Sequence, residues 1–275
     1  MVKIYTIVKD EVDIIKDWLT YHGSMFGWNN IYVIDNYSTD GTYEVLQEFK
    51  QLGISVFREQ DYRKKGEYMT NLIRKYSSGD DKLAFPIDID EFIVFYDKNF
   101  SPNKVLIDKT LINNYLNTLP FSKVYKANYL SPILNVKDCS RVTTELDYSR
   151  YCDMGDLAKS FFNTKYFTGE LDHGNHLNCR DYHLTKIVLV HYHCRNLEQI
   201  KKKIVNNVKG LGYDLDKKNL INCLKNNSTC AGNHHIKSLL EIYENKFIMP
   251  YEFDIEETKN ISITPLKNRI KEGFF

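Results

Sequence analysis

Between Val2 and Phe95 short apolar runs and amphipathic stretches take turns three times, and this rhythm restricts the fold more tightly than anything else in the chain. Lys3-Ile4-Tyr5-Thr6-Ile7-Val8 reads as a strand, closed by the polar break Lys9-Asp10-Glu11. Ile14, Ile15, Trp18, Leu19 and His22 then recur at helical spacing, with Gly23 as the expected stop. A second strand, Asn30 to Ile34, runs into Asp35-Asn36-Tyr37-Ser38-Thr39-Asp40-Gly41. The helix after it takes Asp40 as N-cap and buries Val45, Leu46 and Phe49. Ile54 to Phe57 is a third strand, and Gly66 to Tyr76 a third helix with Tyr68, Leu72 and Ile73 turned inward. Such alternation predicts an α/β, Rossmann-like fold, a mostly parallel sheet flanked by helices on both faces. Ligands of these sheets bind at the carboxyl ends of the strands, so Asp35, Arg58 and Asp88, each following a strand, are expected at one edge.

The stretch from Leu83 to Phe95 places Asp88, Asp90 and Glu91 between two apolar runs. Carboxylates gathered at a buried strand end repel one another unless a cation or proton intervenes. A divalent metal is the simplest such cation. Two aspartates one residue apart offer oxygen ligands for Mn²⁺ or Mg²⁺, and the ion can in turn hold a diphosphate. The plain alternative is an ordinary strand end with turn aspartates. Asp214-Leu215-Asp216 has the same spacing but sits in a polar stretch with no apolar strand before it, and reads as a solvated loop.

After Tyr96 the rhythm breaks. Leu106 to Leu119 reads as helical and Val124 to Leu130 as extended, while Lys137 to Gly155 is polar and irregular and is expected to shape an acceptor pocket. Phe161-Phe162 and Tyr166-Phe167 suggest strands around a turn at 163–165, and residues 170–176 are dense in titratable groups. From Lys186 to Cys194 a strand carries His191 and His193 on one face with Ile187 and Leu189. A Lys-rich helix from Asn196 to Val208, a break at Gly210 to Gly212 and a last amphipathic helix from Ile236 to Phe247 complete the pattern.

A net charge of +1 with 27% charged residues leaves no basic field, so nucleic acid is not an expected partner. Six cysteines show no CxxC pair and are expected as reduced thiols. No apolar run approaches the ~20 residues of a transmembrane helix, and the chain opens directly on a strand. A sequon at Asn36 lies within the expected site, where a glycan would block function. The expected location is cytoplasmic; the oligomeric state is not legible.

Read in order, several of these segments form a pattern: Val8-Lys9-Asp10-Glu11 followed by Trp18-Leu19-x-Tyr21-His22, then Asp35-Asn36-x-Ser38-x-Asp40-Gly41, Asp88-x-Asp90-Glu91-Phe92, His191-Tyr192 and His234-His235-Ile236-Lys237. Over most of the first 200 residues the chain thereby resembles glycosyltransferases of the GT-A fold, in the branch related to families 2 and 92. The resemblance implies a catalytic domain over residues 1–195 with a helical extension, 196–275, packed on it. It implies a hexosyltransferase-type enzyme moving sugar from a nucleotide-sugar donor, UDP-sugar favoured, to a hydroxyl of a glycan or protein acceptor, with inversion. Donor contacts would fall to Val8, Glu11, Asp35, Arg58, Asp88, Lys159, His235 and Lys237, and a Mn²⁺ or Mg²⁺ ion to Asp88, Asp90 and His191. Where this chain has Asp10 the family usually has Asn.

In that chemistry the metal acts as a Lewis acid on the departing diphosphate, and a carboxylate or histidine takes the acceptor proton. Asp172 is the favoured base, with Glu91, Glu170 and His173 as alternatives. Plainer roles stand beside each of these: a satisfied strand-end histidine for His191, a packed one for His193, a surface lysine for Lys159, an ion pair for Arg58, and core packing for Trp18, Phe161 and Phe162. Two other functions fit parts of the pattern. One is a haloacid-dehalogenase-like phosphatase with Asp88 as nucleophile, the other a sugar-nucleotide-binding module without turnover.

Overall fold

Four parallel strands make the first half of the sheet: β1 (Val2–Val8), β2 (Ile31–Asp35), β3 (Ser55–Arg58) and β4 (Leu83–Pro86), side by side as β3-β2-β1-β4. The structure, a computed structural model, describes residues 1–77, 83–100, 105–130, 158–177, 179, 181–193, 195, 197–226 and 232–247. Helices α1 (Ile15–Phe26), α2 (Thr42–Lys50) and α3 (Lys65–Tyr76) connect these strands. Alternation along β1 sends Ile4 and Val8 to the face covered by α1 and α2, and Tyr5 and Ile7 to the face covered by α3. Both faces are buried, which is why these strands read as almost unbroken apolar runs.

Local details differ from the sequence reading for steric reasons. Gly23 does not stop α1. A Cβ there would lie 2.1 Å from the Trp28 ring, so the glycine admits that ring, and Gly27, at φ +91°, ends the helix. Gly41 rather than Asp40 is the N-cap of α2, yet the Asp40 carboxylate still accepts from the Thr42 N–H at 3.1 Å. Val45 and Tyr68 are only half-buried.

The two apolar runs around the carboxylates are separate strands far apart in the sheet. β5 (Glu91–Phe95) is the edge strand, and the order continues from β4 through β7 (Lys159–Asn163), β6 (Val124–Leu130) and β8 (His183–His191) to β5. Here β4–β7, β7–β6 and β8–β5 pair antiparallel while β6–β8 is parallel, so the sheet is mixed: parallel where strand and helix alternate, largely antiparallel where they do not. Tyr166-Phe167 is not a strand. The Asn163 side chain accepts from the Lys165 N–H at 3.2 Å and turns the chain into a short helical turn, Thr164–Tyr166.

Edge strand β5 is closed by α1. On its outer side the Glu91 carbonyl accepts from the Trp18 indole at 2.9 Å, the Ile93 carbonyl from the Tyr21 hydroxyl at 2.5 Å, and His22 Nε2 from the Ile93 N–H at 3.4 Å. Phe95 pairs with Leu106. His22 Nδ1 donates to the Trp18 carbonyl, which fixes the tautomer, and burial pushes the imidazole down to about 3, so it stays neutral. The Trp18-Leu19-x-Tyr21-His22 segment therefore satisfies an otherwise open strand edge and anchors the chain directly after Asp90.

Helix α4 (Lys109–Asn117) is capped by Asp108. Helices α5 (Leu197–Gly210), α6 (Lys217–Asn226) and α7 (Asn233–Tyr243) share a separate apolar cluster of Ile200, Ile204, Val208, Leu220, Ile236 and Leu239. The sequence reading did not anticipate α6. Asp214 and Asp216 lie exposed in the turn before it, and Asp216 caps its first N–H groups at 3.0 Å. No helix among the described residues is long and apolar enough to cross a membrane. Residues 137–155, expected to shape an acceptor pocket, lie outside the described residues.

Candidate active site

A cleft of about 780 Å³ opens at the carboxyl ends of β1 and β4 and the end of β8, roofed by α5 and the start of α7. Its floor holds Glu11, Asp88, Asp90, His191 and His193; Lys202, Lys203 and Asn206 come from α5 and His234 and His235 from α7.

Asp88, just past β4, is clamped. Lys65 Nζ lies 2.7 Å from one carboxylate oxygen and Lys159 Nζ 2.9 Å from the other, and the Asn175 amide donates at 3.1 Å. Glu91 sits beneath, 1% exposed, accepting from the Asp88 N–H at 2.8 Å and 3.0 Å from Lys159. Burial works to raise the Asp88 carboxyl, but Lys159 and Lys65 outweigh it and hold the group below the usual carboxylate range.

The turn that supplies Asn175 is fixed from two sides. Lys159 donates to the Gly174 carbonyl at 2.9 Å, and Gly66 at the start of α3 lies so close that a Cβ would stand 2.0 Å from the Leu171 carbonyl. Asp172 caps the same turn, accepting from the N–H groups of Gly174 at 2.9 Å and His176 at 2.7 Å. Partial burial opposes ionisation there, but His176 and these N–H groups hold the carboxyl down at about 2. A carboxylate so committed is a weak proton acceptor.

Asp90 is different. It is 1% exposed, and one of its oxygens with one ring nitrogen each of His191 and His193 lie within 4.8 Å of one another, a spacing that can hold a metal ion. His191 Nε2 stands 3.5 Å from the carboxylate, and Lys203 Nζ, from α5, bonds its other oxygen while lying 3.9 Å from Glu11. Burial would raise the Asp90 carboxyl, yet Lys203 and His191 keep it well below its ordinary value. Burial likewise would lower His191, but Asp90 raises it; burial lowers His193, with Lys203 and His191 adding to the effect.

Arg195 ties this arrangement together from beneath. Only 1% exposed, its guanidinium pairs with Glu11, meets Asp13 at 2.7 and 3.0 Å, and donates to the Tyr192 carbonyl at 3.0 Å. Burial raises the Glu11 carboxyl, opposed by Lys203 and Arg195.

Of the residues expected from sequence, Glu11, Asp88, Asp90, His191 and His235 line the cleft. Lys159 and Glu91 act on it through Asp88. Val8 is core, and Lys237 is an exposed residue on α7. Asp35, fully buried, binds the Ser38 N–H at 3.0 Å and Arg58 at 3.0 Å, and the Arg58 guanidinium lies 4.2 and 4.1 Å from the Tyr37 and Tyr43 ring centres. Neither Asp35 nor Arg58 lines the cleft. His235 faces Asn207 at 3.2 Å, and burial, with His234 and Lys203, takes it down to about 4. Lys65, Asn175, Arg195 and Lys203 escaped the sequence reading. For Lys203 a signal existed: Gln199, Lys203, Asn206 and Gly210 form a stripe at helical spacing opposite Ile200, Ile204 and Val208.

No protein-family model matches the chain, and no curated protein matches it in sequence. Among solved structures it is similar to residues 1–349 of TarS from S. aureus, with 10% identity, 93% of this chain and 76% of that chain covered, and a TM-score of 0.42. A second is the mannosyltransferase PcManGT from Pyrobaculum calidifontis, in complex with GDP-Man and Mn²⁺, at 11% identity, coverage of 88% and 69%, and a TM-score of 0.45. A third is glucosyl-3-phosphoglycerate synthase from Mycobacterium tuberculosis with Mn²⁺, UDP-glucose and phosphoglyceric acid, at 12% identity, coverage of 76% and 79%, and a TM-score of 0.41. Likenesses of this strength decide neither ligand nor reaction for this chain.

Proposed function

We propose that the chain is a metal-dependent glycosyltransferase of the GT-A kind, moving a sugar from a nucleoside-diphosphate donor, UDP-sugar favoured, to a hydroxyl of a glycan or protein. The observation that carries this reading is the convergence of Asp90, His191 and His193 beside the clamped Asp88, at the carboxyl ends of β1 and β4. One carboxylate and two imidazoles suit a first-row transition ion such as Mn²⁺ better than Mg²⁺, which prefers oxygen. When bound there, such an ion supplies Lewis-acid stabilisation of a departing diphosphate.

Carboxylates and lysines alternate around the cleft, with Asp40 on Lys202, Asp90 on Lys203 and Asp88 on Lys65. Lys9 and Lys209 also line the cleft, but Asp10, Glu11, Asp13 and Glu198 lie in the same lining, so the cleft has no net positive charge to offer a diphosphate, and a divalent ion supplies it. Lys202 and Lys203 on the α5 roof are placed to approach phosphate oxygens from the side opposite the sheet. Asp88, held by two ammoniums, keeps the floor rigid and orients a donor hydroxyl without reorganising. Of the groups considered for the acceptor proton, His173 lines the cleft while Asp172 serves its own turn and Glu91 is buried, so His173 takes that role in this reading. A phosphatase reaction at Asp88 would have to break one of the two lysine ion pairs that hold its carboxylate.

Calorimetric titration with UDP, GDP and ADP, with Mn²⁺ or with chelator, tests the proposal. One diphosphate, UDP first, is expected to bind at least about tenfold more tightly with Mn²⁺. Absence of binding by all three with any divalent metal would contradict it.

A further inference from the structure

Lys203 places its ammonium between two buried carboxylates of the cleft floor. Its ammonium bonds the buried Asp90 carboxylate and lies 3.9 Å from Glu11, while His191 stands 3.5 Å from the other Asp90 oxygen. A metal held by Asp90, His191 and His193 would sit within a few ångströms of this ammonium, and two cations at that distance in a buried setting repel strongly. Asp90 offers two oxygens, both already engaged.

We propose that Lys203 is a resident competitor for the cation position at Asp90: it holds the carboxylate until a divalent metal binds, then withdraws along α5 into the cleft, where a phosphate group can accept it. This rests on the metal reading given above and goes beyond it by naming the group that sets metal affinity. The side chain is long and unbranched, and α5 carries Lys202 and Asn206 toward the same cleft, so a swing of the ammonium from carboxylate to phosphate needs no movement of the helix. Metal and phosphate binding are then coupled through one side chain, each favouring the other, because each removes an obstacle to the other.

The test is Mn²⁺ alone, titrated into the full chain and followed by the electron paramagnetic resonance of free Mn²⁺, for the wild type, Lys203→Gln and Lys203→Arg. Lys203→Gln is expected to bind Mn²⁺ about tenfold more tightly than the wild type. Lys203→Arg, which keeps the charge, is expected to stay within about threefold of the wild type. Equal or weaker Mn²⁺ binding by a folded Lys203→Gln protein, with the wild type binding normally, overturns the competition and leaves the metal site standing. If Lys203→Gln fails to fold, Lys203→Met and the Arg variant carry the comparison, and an Arg variant that binds as tightly as Met overturns it too. Failure of Mn²⁺ to bind any of these proteins at millimolar concentration overturns the metal site itself.

Discussion

Replacing Asp90 by Asn is expected to abolish Mn²⁺-dependent binding of the nucleoside diphosphate and to lower transfer by about a thousandfold or more. The substitution removes one charge from a site where the ligand atoms of Asp90, His191 and His193 gather within 4.8 Å, and a neutral amide oxygen with two imidazoles makes a poor site for a hard divalent ion. It leaves the backbone untouched. The Asp90 carbonyl still accepts from the Tyr192 N–H at 2.8 Å, and β5 still pairs with β8 from Glu91 to Phe95. Far-ultraviolet circular dichroism should therefore match the wild type while calorimetry with UDP and Mn²⁺ shows no metal-dependent heat. A variant that keeps its metal dependence would move the cation site away from Asp90.

Arg195→Met is expected to be strongly destabilising, costing roughly 3–5 kcal/mol and lowering the melting temperature by roughly 10 °C. The methionine fills most of the space, but Glu11 loses the guanidinium bonded to it in a buried position and keeps only the Lys203 ammonium, 3.9 Å away. Asp13, with 41% of its side chain exposed, is solvated and adds little to the cost. Arg195→Lys should recover only part of the loss, since one ammonium cannot meet Glu11, Asp13 and the Tyr192 carbonyl together as the planar guanidinium does. Thermal melting followed by circular dichroism measures both variants; a shift under about 2 °C for Arg195→Met would show that the buried pair contributes little net stability.

What was legible in the sequence follows from how local the determining physics is. β1, β2, β3 and the helices between them are set by periodicity within windows of a dozen residues, and they appear where the pattern puts them. Gly23 and Asp40 miss the helix ends by small steps because a ring five residues on and a left-handed glycine decide them. The second half resisted reading because its order is not sequential. Leu83 to Phe95 looks like one strand with a polar interruption, yet β4 lies inside the sheet and β5 at its rim, and no local signal encodes that jump. The same holds for the charges. Asp88, Asp90 and His191 stood out because acidic or imidazole groups at the end of an apolar run are rare. Lys203 and Arg195 looked like ordinary polar residues after a strand, since the groups that bury them, Asp90 and Glu11, lie 113 and 184 residues earlier. Asp35 and Arg58 do share one sheet edge, but they are joined to each other outside the cleft lining.

The claim that Asp90, His191 and His193 form a metal site is tested most directly by anomalous diffraction at the manganese edge, from crystals of the chain grown with Mn²⁺ and UDP. The account predicts one strong peak within coordinating distance of all three side chains, with the Lys203 ammonium displaced from Asp90. A peak elsewhere, with Lys203 still bound to Asp90, would contradict it.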